Sequence, residues 1–185
     1  MNQHSFLIIH GLGGSGPAHW QSWLFHELKQ QNFHVSYPIF SNYDTPNKET
    51  WLQELSTAIQ SLPKNHRKTV ITHSLGCILW LHYIAGQTKK IADHVILVAP
   101  PSPTIVLPEA KSFYPVPLER ENVLRAAEDT LFVYSTNDPY CDIEDSINYL
   151  TLNVPSISLS NMGHINTKSG HGEWQWILDQ CLNHS

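Results

Sequence analysis

Cysteine is scarce in this chain: there are three, Cys77, Cys141 and Cys181, at wide and unequal spacings. An odd number spread this way offers neither a disulfide framework nor a zinc knuckle, and it reads as reduced, partly buried thiols. Charge is sparse too, at 15% of residues, with eleven Lys and Arg against sixteen Asp and Glu for a formal net charge of -5. The basic side chains cluster only as the pairs Arg67/Lys68 and Lys89/Lys90. The basic stripe that tracks a phosphate backbone is therefore missing, and nucleic acid is not expected as a partner. No stretch approaches the roughly 20 apolar residues that cross a bilayer. The segment Met1 to His10 holds only the apolar run Phe6 to Ile9 and no cationic flank, too little for a secretory signal. No membrane partner is expected, and the location expected is cytoplasmic.

Histidine is the one excess, with twelve, yet none falls in a His-Glu-x-x-His pattern and most stand among unrelated neighbours. Ordinary surface and second-layer histidines account for them, so neither a metal nor a cofactor is expected. With 185 residues, 41% of them hydrophobic, the chain has the size and balance of one globular domain spanning 1–185.

Short β-branched or aromatic runs recur at Ser5 to Ile9, His34 to Tyr37, Thr69 to Thr72, His94 to Ala99, Leu131 to Ser135 and Ser156 to Ser160. Helical periodicity fills the intervals, at Ala18 to Gln31, Lys48 to Ser61, Leu75 to Gly86, Leu118 to Glu128, Asp142 to Leu152 and Gly172 to Leu182. Strict alternation predicts an α/β three-layer sandwich, with a mostly parallel sheet of about six strands and helices on both faces. Ligands on such sheets bind at the carboxyl ends of the strands, so the residues of a site should follow strands. Pro100 to Pro117, with six prolines around Phe113 and Tyr114, can be neither a regular strand nor a long helix. Leaving the carboxyl end of a strand, it either supplies an apolar wall to a site or is a structural loop.

Thr72-His73-Ser74-Leu75-Gly76 lies where an apolar strand meets an apolar helix. A nucleophilic serine needs such a turn, which projects its hydroxyl beyond the sheet and aims the next backbone N–H at the oxyanion. Gly76 keeps the second glycine of G-x-S-x-G, while Thr72 replaces the first. A serine at a helix start is also a common N-cap, so the turn needs support from elsewhere. His10-Gly11-Leu12-Gly13-Gly14-Ser15-Gly16 follows the first strand, and flexible backbone there can turn amides toward developing negative charge. The N–H groups of Leu12 and Leu75 are the candidate oxyanion donors. Gly11-x-Gly13-x-x-Gly16 also spells a dinucleotide pattern, but Tyr37-Pro38-Ile39-Phe40 ends the next strand without an acidic ribose partner, and no Gly-Lys-Ser/Thr is present.

Asp138, in Ser135-Thr136-Asn137-Asp138-Pro139, follows the strand after the nucleophile, whereas Asp129 precedes it. An Asx turn is the alternative role for Asp138, and Asp142 and Asp145 suit the start of the next helix. His164 follows the last strand in Asn161-Met162-Gly163-His164-Ile165-Asn166, with His10, His73 and His171 as rivals. The order Ser74, Asp138, His164 is that of α/β hydrolases and differs from the chymotrypsin and subtilisin orders. His10, Trp20, Phe113 and Tyr114 are the candidate pocket residues, although Trp20 and Trp23, three apart on a helix, also suit a core.

These stretches, with His19-Trp20-Gln21-Ser22-Trp23 and Gly172-Glu173-Trp174, resemble the small serine hydrolases grouped with retinoblastoma-binding protein nine and the bacterial YdeN-like proteins. The resemblance spans nearly the whole chain. It implies an α/β-hydrolase fold without a large cap domain, and it places nucleophile, acid and base on Ser74, Asp138 and His164. Retinoblastoma binding does not follow, because Leu75-Gly76-Cys77-Ile78-Leu79 lacks the Glu of a Leu-x-Cys-x-Glu peptide. The expected activity is hydrolysis of a small acyl substrate, a carboxylic ester before a thioester or amide. The rival readings are a non-catalytic interaction module and a cofactor-free lyase or haloperoxidase-like enzyme, since one fold hosts many reactions.

Overall fold

The computed structural model describes residues 3–183; Met1, Asn2, His184 and Ser185, at the ends of the expected domain, lie outside them. Six strands, β1 (His4–Ile9), β2 (His34–Ser36), β3 (Arg67–His73), β4 (Ala92–Val98), β5 (Ala127–Ser135) and β6 (Ser156–Leu159), alternate with α1 (Trp20–Gln30), α2 (Lys48–Ser61), α3 (Leu75–Ala85), α4 (Arg120–Ala126), α5 (Ile143–Leu150) and α6 (Gln175–Leu182). The strands form one sheet in the order β2-β1-β3-β4-β5-β6. Every neighbouring pair is parallel, so the expected mostly parallel sheet is wholly so.

Side chains alternate across a strand, and both faces of this sheet are covered. Leu7, Ile9, Val70, Val95 and Leu97 face a core shared with α2, α3 and the Pro-rich segment. Phe6, Ile8, Ile71, Ile96 and Val98 face a second core with α1 and α6. The three-layer sandwich follows from that alternation. Among the described residues no cap domain covers it, and no helix is long and apolar enough to cross a membrane.

Most boundaries shift by a few residues from the sequence reading, and at the junction of α4 with β5 strand pairing is the reason. The helix expected to reach Glu128 ends at Ala126, because Ala127 already pairs with Ala92 of β4 and Ile91 N–H donates to Ala126 O (2.8 Å). Asp129 thus lies inside β5 near its amino end, still at the end of the sheet away from Ser74. The last helix starts at Gln175 rather than Gly172. The Pro-rich segment holds one short 3-10 turn, Pro108–Phe113.

Helix α3 buries nine of its eleven residues, and it can pack this closely on β1 because Gly76 has no side chain. A Cβ there would stand 2.6 Å from His10 O and 2.7 Å from Ile9 O, both rigid backbone. Gly76→Ala should therefore cost about 1–3 kcal/mol, the usual penalty of overpacking. Urea unfolding of the purified variant measures it; a midpoint equal to wild type would show that strand and helix are less tightly joined.

Candidate active site

Strand β3 ends at His73 and α3 begins at Leu75, leaving Ser74 to make the whole turn. It does so at φ 55 and ψ -128, a conformation that L residues avoid and that persists only where the surroundings impose it. Ser74 N–H donates to Val98 O (3.0 Å), and its carbonyl accepts from Cys77 N–H (2.9 Å). The hydroxyl makes no capping bond to the helix. It lies 2.8 Å from His164 Nε2 instead.

His164 sits in the loop after β6, 90 residues away in sequence. Its Nδ1–H donates to Asp138 Oδ2 (2.8 Å) and Oδ1 (2.9 Å). This fixes the tautomer with Nε2 free to receive the Ser74 proton. Asp138 follows β5, and its Oδ1 also accepts from Tyr140 N–H (2.9 Å). The Asx-type contact and the contact to His164 thus coexist. Ser74, Asp138 and His164 are all buried.

Three consecutive side chains at the carboxyl end of β5 hold the histidine loop, and the sequence reading did not single them out. Thr136 Oγ1 accepts from Asn161 N–H (3.0 Å), Ser135 Oγ from Met162 N–H (2.9 Å) and Asn137 Oδ1 from Gly163 N–H (2.7 Å). The available signal was Ser-Thr-Asn at a strand's carboxyl end, three short acceptors where a loop must be tied. Beyond His164 the clamp continues: His73 Nε2–H donates to His164 O (2.9 Å) and Trp20 Nε1–H to Ile165 O (2.8 Å). Ile165, β-branched yet at φ 47, is a genuine backbone outlier.

The glycine loop lies against the serine turn. A Cβ on Gly11 would meet Ser74 Cβ at 2.7 Å and Leu75 N at 3.1 Å, so only glycine lets the loop approach the serine turn this closely. Leu12 lines the cleft over Ser74, of about 550 Å³, together with His19, Leu107, Glu109, Tyr140 and Lys168. Glu109, Tyr140, Lys168 and His19 were not foreseen, because which loops meet at a cleft is decided by packing.

The candidate pocket residues lie elsewhere. Trp20 and Phe113 are fully buried; the first packs edge-on against Trp174 and the second against Trp51. Tyr114 turns its hydroxyl to Ser102 O (3.1 Å). His10 stands behind the glycine loop, its Nδ1–H donating to Gly11 O (2.8 Å) while Nε2 accepts from Phe40 N–H (2.9 Å). None of the four lines the Ser74 cleft: the two fully buried aromatics gain more free energy in the core, whereas His10 lines the neighbouring cavity along the glycine loop. From the Pro-rich segment, Leu107 and Glu109 reach the cleft instead. His171 packs on Trp174 and is not among the residues lining the Ser74 cleft, and Asp142 caps α5 by accepting from Asp145 N–H (2.8 Å). Among the described residues no group of three or more His, Cys, Asp or Glu could hold a metal ion.

The histidines beside the site are held neutral. Burial pushes His19 down to about 4, reinforced by the neighbouring His164 and His171. His73, fully enclosed, is driven well below the usual range by the same desolvation and by His164 and His19. Neutral rings would add no charge to repel an imidazolium at His164.

The family model for serine hydrolases matches residues 6–182. Among solved structures the chain is similar to the ydeN gene product of B. subtilis, at 21% identity and a TM-score of 0.82 with 98% of each chain covered. It is similar too to a YdeN-like hydrolase of Pectobacterium atrosepticum, at 20% identity and TM-score 0.73 over 98% of this chain and 91% of that one. A metagenome-derived lipolytic enzyme shares the fold at 12% identity and TM-score 0.75, over 98% and 93% of the two chains. No curated protein sequence matches the chain.

The depressed histidines set a pH dependence. Between about 4 and the free value of 6.5 the unfolded chain protonates at position 19 while the folded one does not. The stabilisation is complete above pH 6.5 and is lost as pH falls toward 4, by at most about 3 kcal/mol for this group. Urea midpoints should therefore decline through that window. His19→Asn, which keeps an acceptor for Gln21 N–H, should flatten the decline; an unchanged slope would assign it to other groups.

Proposed function

The chain belongs to the serine hydrolase family, and from that premise we propose that it cleaves a small carboxylic ester through a Ser74–His164–Asp138 triad and an acyl-enzyme. The observation that carries the reading is the unbroken relay from Ser74 Oγ to His164 Nε2 (2.8 Å) and from His164 Nδ1 to Asp138 (2.8 and 2.9 Å). As Ser74 Oγ bonds to the carbonyl carbon, its proton passes to His164 Nε2, and the carbonyl electron pair moves onto oxygen. The Leu12 and Leu75 N–H groups receive that charge, a preorganised contribution of roughly 3–4 kcal/mol per donor. Collapse breaks the bond to the leaving alcohol, which takes the proton from His164. Water then repeats the sequence, releasing the acid and restoring Ser74. Asp138 holds the ring and stabilises the imidazolium without taking the proton.

An ester is the substrate this reading favours over a thioester or amide, in keeping with the lipolytic description of one structural neighbour. The whole chain acts as one catalytic domain, and the three buried, unpaired cysteines suit a reducing, cytoplasmic setting.

A fluorophosphonate probe should label wild type and leave Ser74→Ala unlabelled, with hydrolysis of p-nitrophenyl acetate lost alongside. A wild type inert to both would favour an interaction module on the same scaffold. Asp138→Asn should fold normally, by circular dichroism, and lose about four orders of magnitude in kcat because the wrong His164 tautomer is favoured; full activity would move the carboxylate role elsewhere. His73→Leu removes the donor to the His164 carbonyl and should lower kcat by about tenfold to a hundredfold at similar KM, the scale of a small misplacement. His73→Gln, whose amide can donate from a similar position, should recover most of it; equal loss in both variants would mean that the ring's packing matters and its bond does not.

A further inference from the structure

The Ser74 cleft has a neighbour. A second cavity, of about 510 Å³, borders the same glycine loop and is walled by Phe25, His26, Tyr37, Ile39 and Tyr43. Its size falls within the roughly 300–1,000 Å³ of small-molecule sites, and an apolar, aromatic lining is typical of them. The rings of Phe25 and Tyr37 stand 5.9 Å apart at a tilt of 42°, in contact with each other, and together present one aromatic wall. At the lip the fold leaves apolar surface uncovered: Ile39 is 79% exposed and Tyr43 39%.

Gly13, Gly14 and Gly16 line both cavities. Gly13 and Gly14 need no further explanation, at φ +77 and +71. Gly16 is different. Its backbone is outside the left-handed region, and a Cβ there would meet nothing within 4 Å. Neither conformation nor packing requires glycine at 16, and the missing side chain leaves open space between the two cavities.

We propose that the cavity walled by Phe25, Tyr37, Ile39 and Tyr43 is a substrate subsite for an aromatic group, reached from Ser74 across Gly16. The proposal rests on the serine hydrolase reading of Ser74 and adds a substrate class to it. The polar cleft with His19, Glu109 and Lys168 takes the remainder of the ester, while the aromatic group leaves water for the second cavity.

The test compares ethyl acetate, ethyl 3-phenylpropanoate and 3-phenylpropyl acetate by titrating released acid, so that the chromogenic leaving group adds no ring of its own. The two aryl esters differ in whether the ring lies on the acyl or the alcohol side. Wild type should prefer at least one of them over ethyl acetate by more than tenfold in kcat/KM. Gly16→Leu, which fills the passage, and Ile39→Asp, an exposed site at the lip, should each reduce that preference by more than tenfold, mainly through KM. A wild type that turns over ethyl acetate with no aryl preference overturns the subsite and leaves the hydrolase reading standing. So does a preference that survives both variants. A wild type inert toward all three esters overturns both.

Discussion

The site depends on one strained residue. Ser74 occupies φ 55 and ψ -128, at a cost of order 1–3 kcal/mol for a non-glycine residue. What returns that energy is the fit of the turn between β1, the glycine loop and α3. Gly76 lets α3 rest on the Ile9 and His10 carbonyls, and Gly11 lets the loop rest on Ser74 itself. The strain lifts Ser74 Oγ clear of the helix it would otherwise cap, so the residue is free for His164. A relaxed serine at this position would turn its hydroxyl to α3 and away from His164.

The histidine side of the site follows a different physical logic. Ser74 is placed by backbone geometry, whereas His164 is placed by hydrogen bonds to its own loop. Three consecutive side chains on β5's carboxyl end tie residues 161–163, and His73 and Trp20 tie the two carbonyls that follow. These donors and acceptors come from β3, α1 and the end of β5, so the ring is referred to the sheet as a whole. Such bonding also compensates the left-handed backbone at Ile165. The donors are neutral. A charged His73 or His19 would oppose any positive charge placed on His164, and burial keeps both uncharged.

Fold and site were legible to different depths in the sequence. Strands in a parallel sheet buried on both faces are short apolar runs, so Val95-Ile96-Leu97-Val98 announced itself, and the alternation with helices left few topologies to consider. Ser74, Asp138 and His164 were legible for a related reason: each had to follow a strand, and only a few Ser, Asp and His residues do. The cleft walls were not legible. Phe113 and Tyr114 stand in a loop leaving a strand's carboxyl end, as Glu109 does, and only packing decides which of them turns inward. The larger apolar rings went to the core, and Leu107 with the charged Glu109 was left at the cleft. Ser135, Thr136 and Asn137 were visible as letters, but their partners lie 25 to 27 residues onward, a separation that no local pattern encodes.

Thr72 shows what the glycines of the serine turn are for. In a G-x-S-x-G pattern both glycines are commonly read as one requirement for smallness. Here they separate. The second position faces backbone carbonyls that cannot move, and a Cβ would sit within 2.7 Å of two of them. The first position looks toward β4 and the side of α3, where Thr72 Oγ1–H reaches Cys77 Sγ (3.0 Å) and the Cys77 thiol reaches Val98 O (3.3 Å). A hydroxyl with a partner is admitted there because its surroundings are a side chain and a strand edge, and Cys77, small and with burial raising its thiol to about 12, stays a neutral neighbour. Smallness at the first position is thus one of two solutions, while at the second it is the only one, because the constraint there is set by backbone that the rest of the sheet holds fixed.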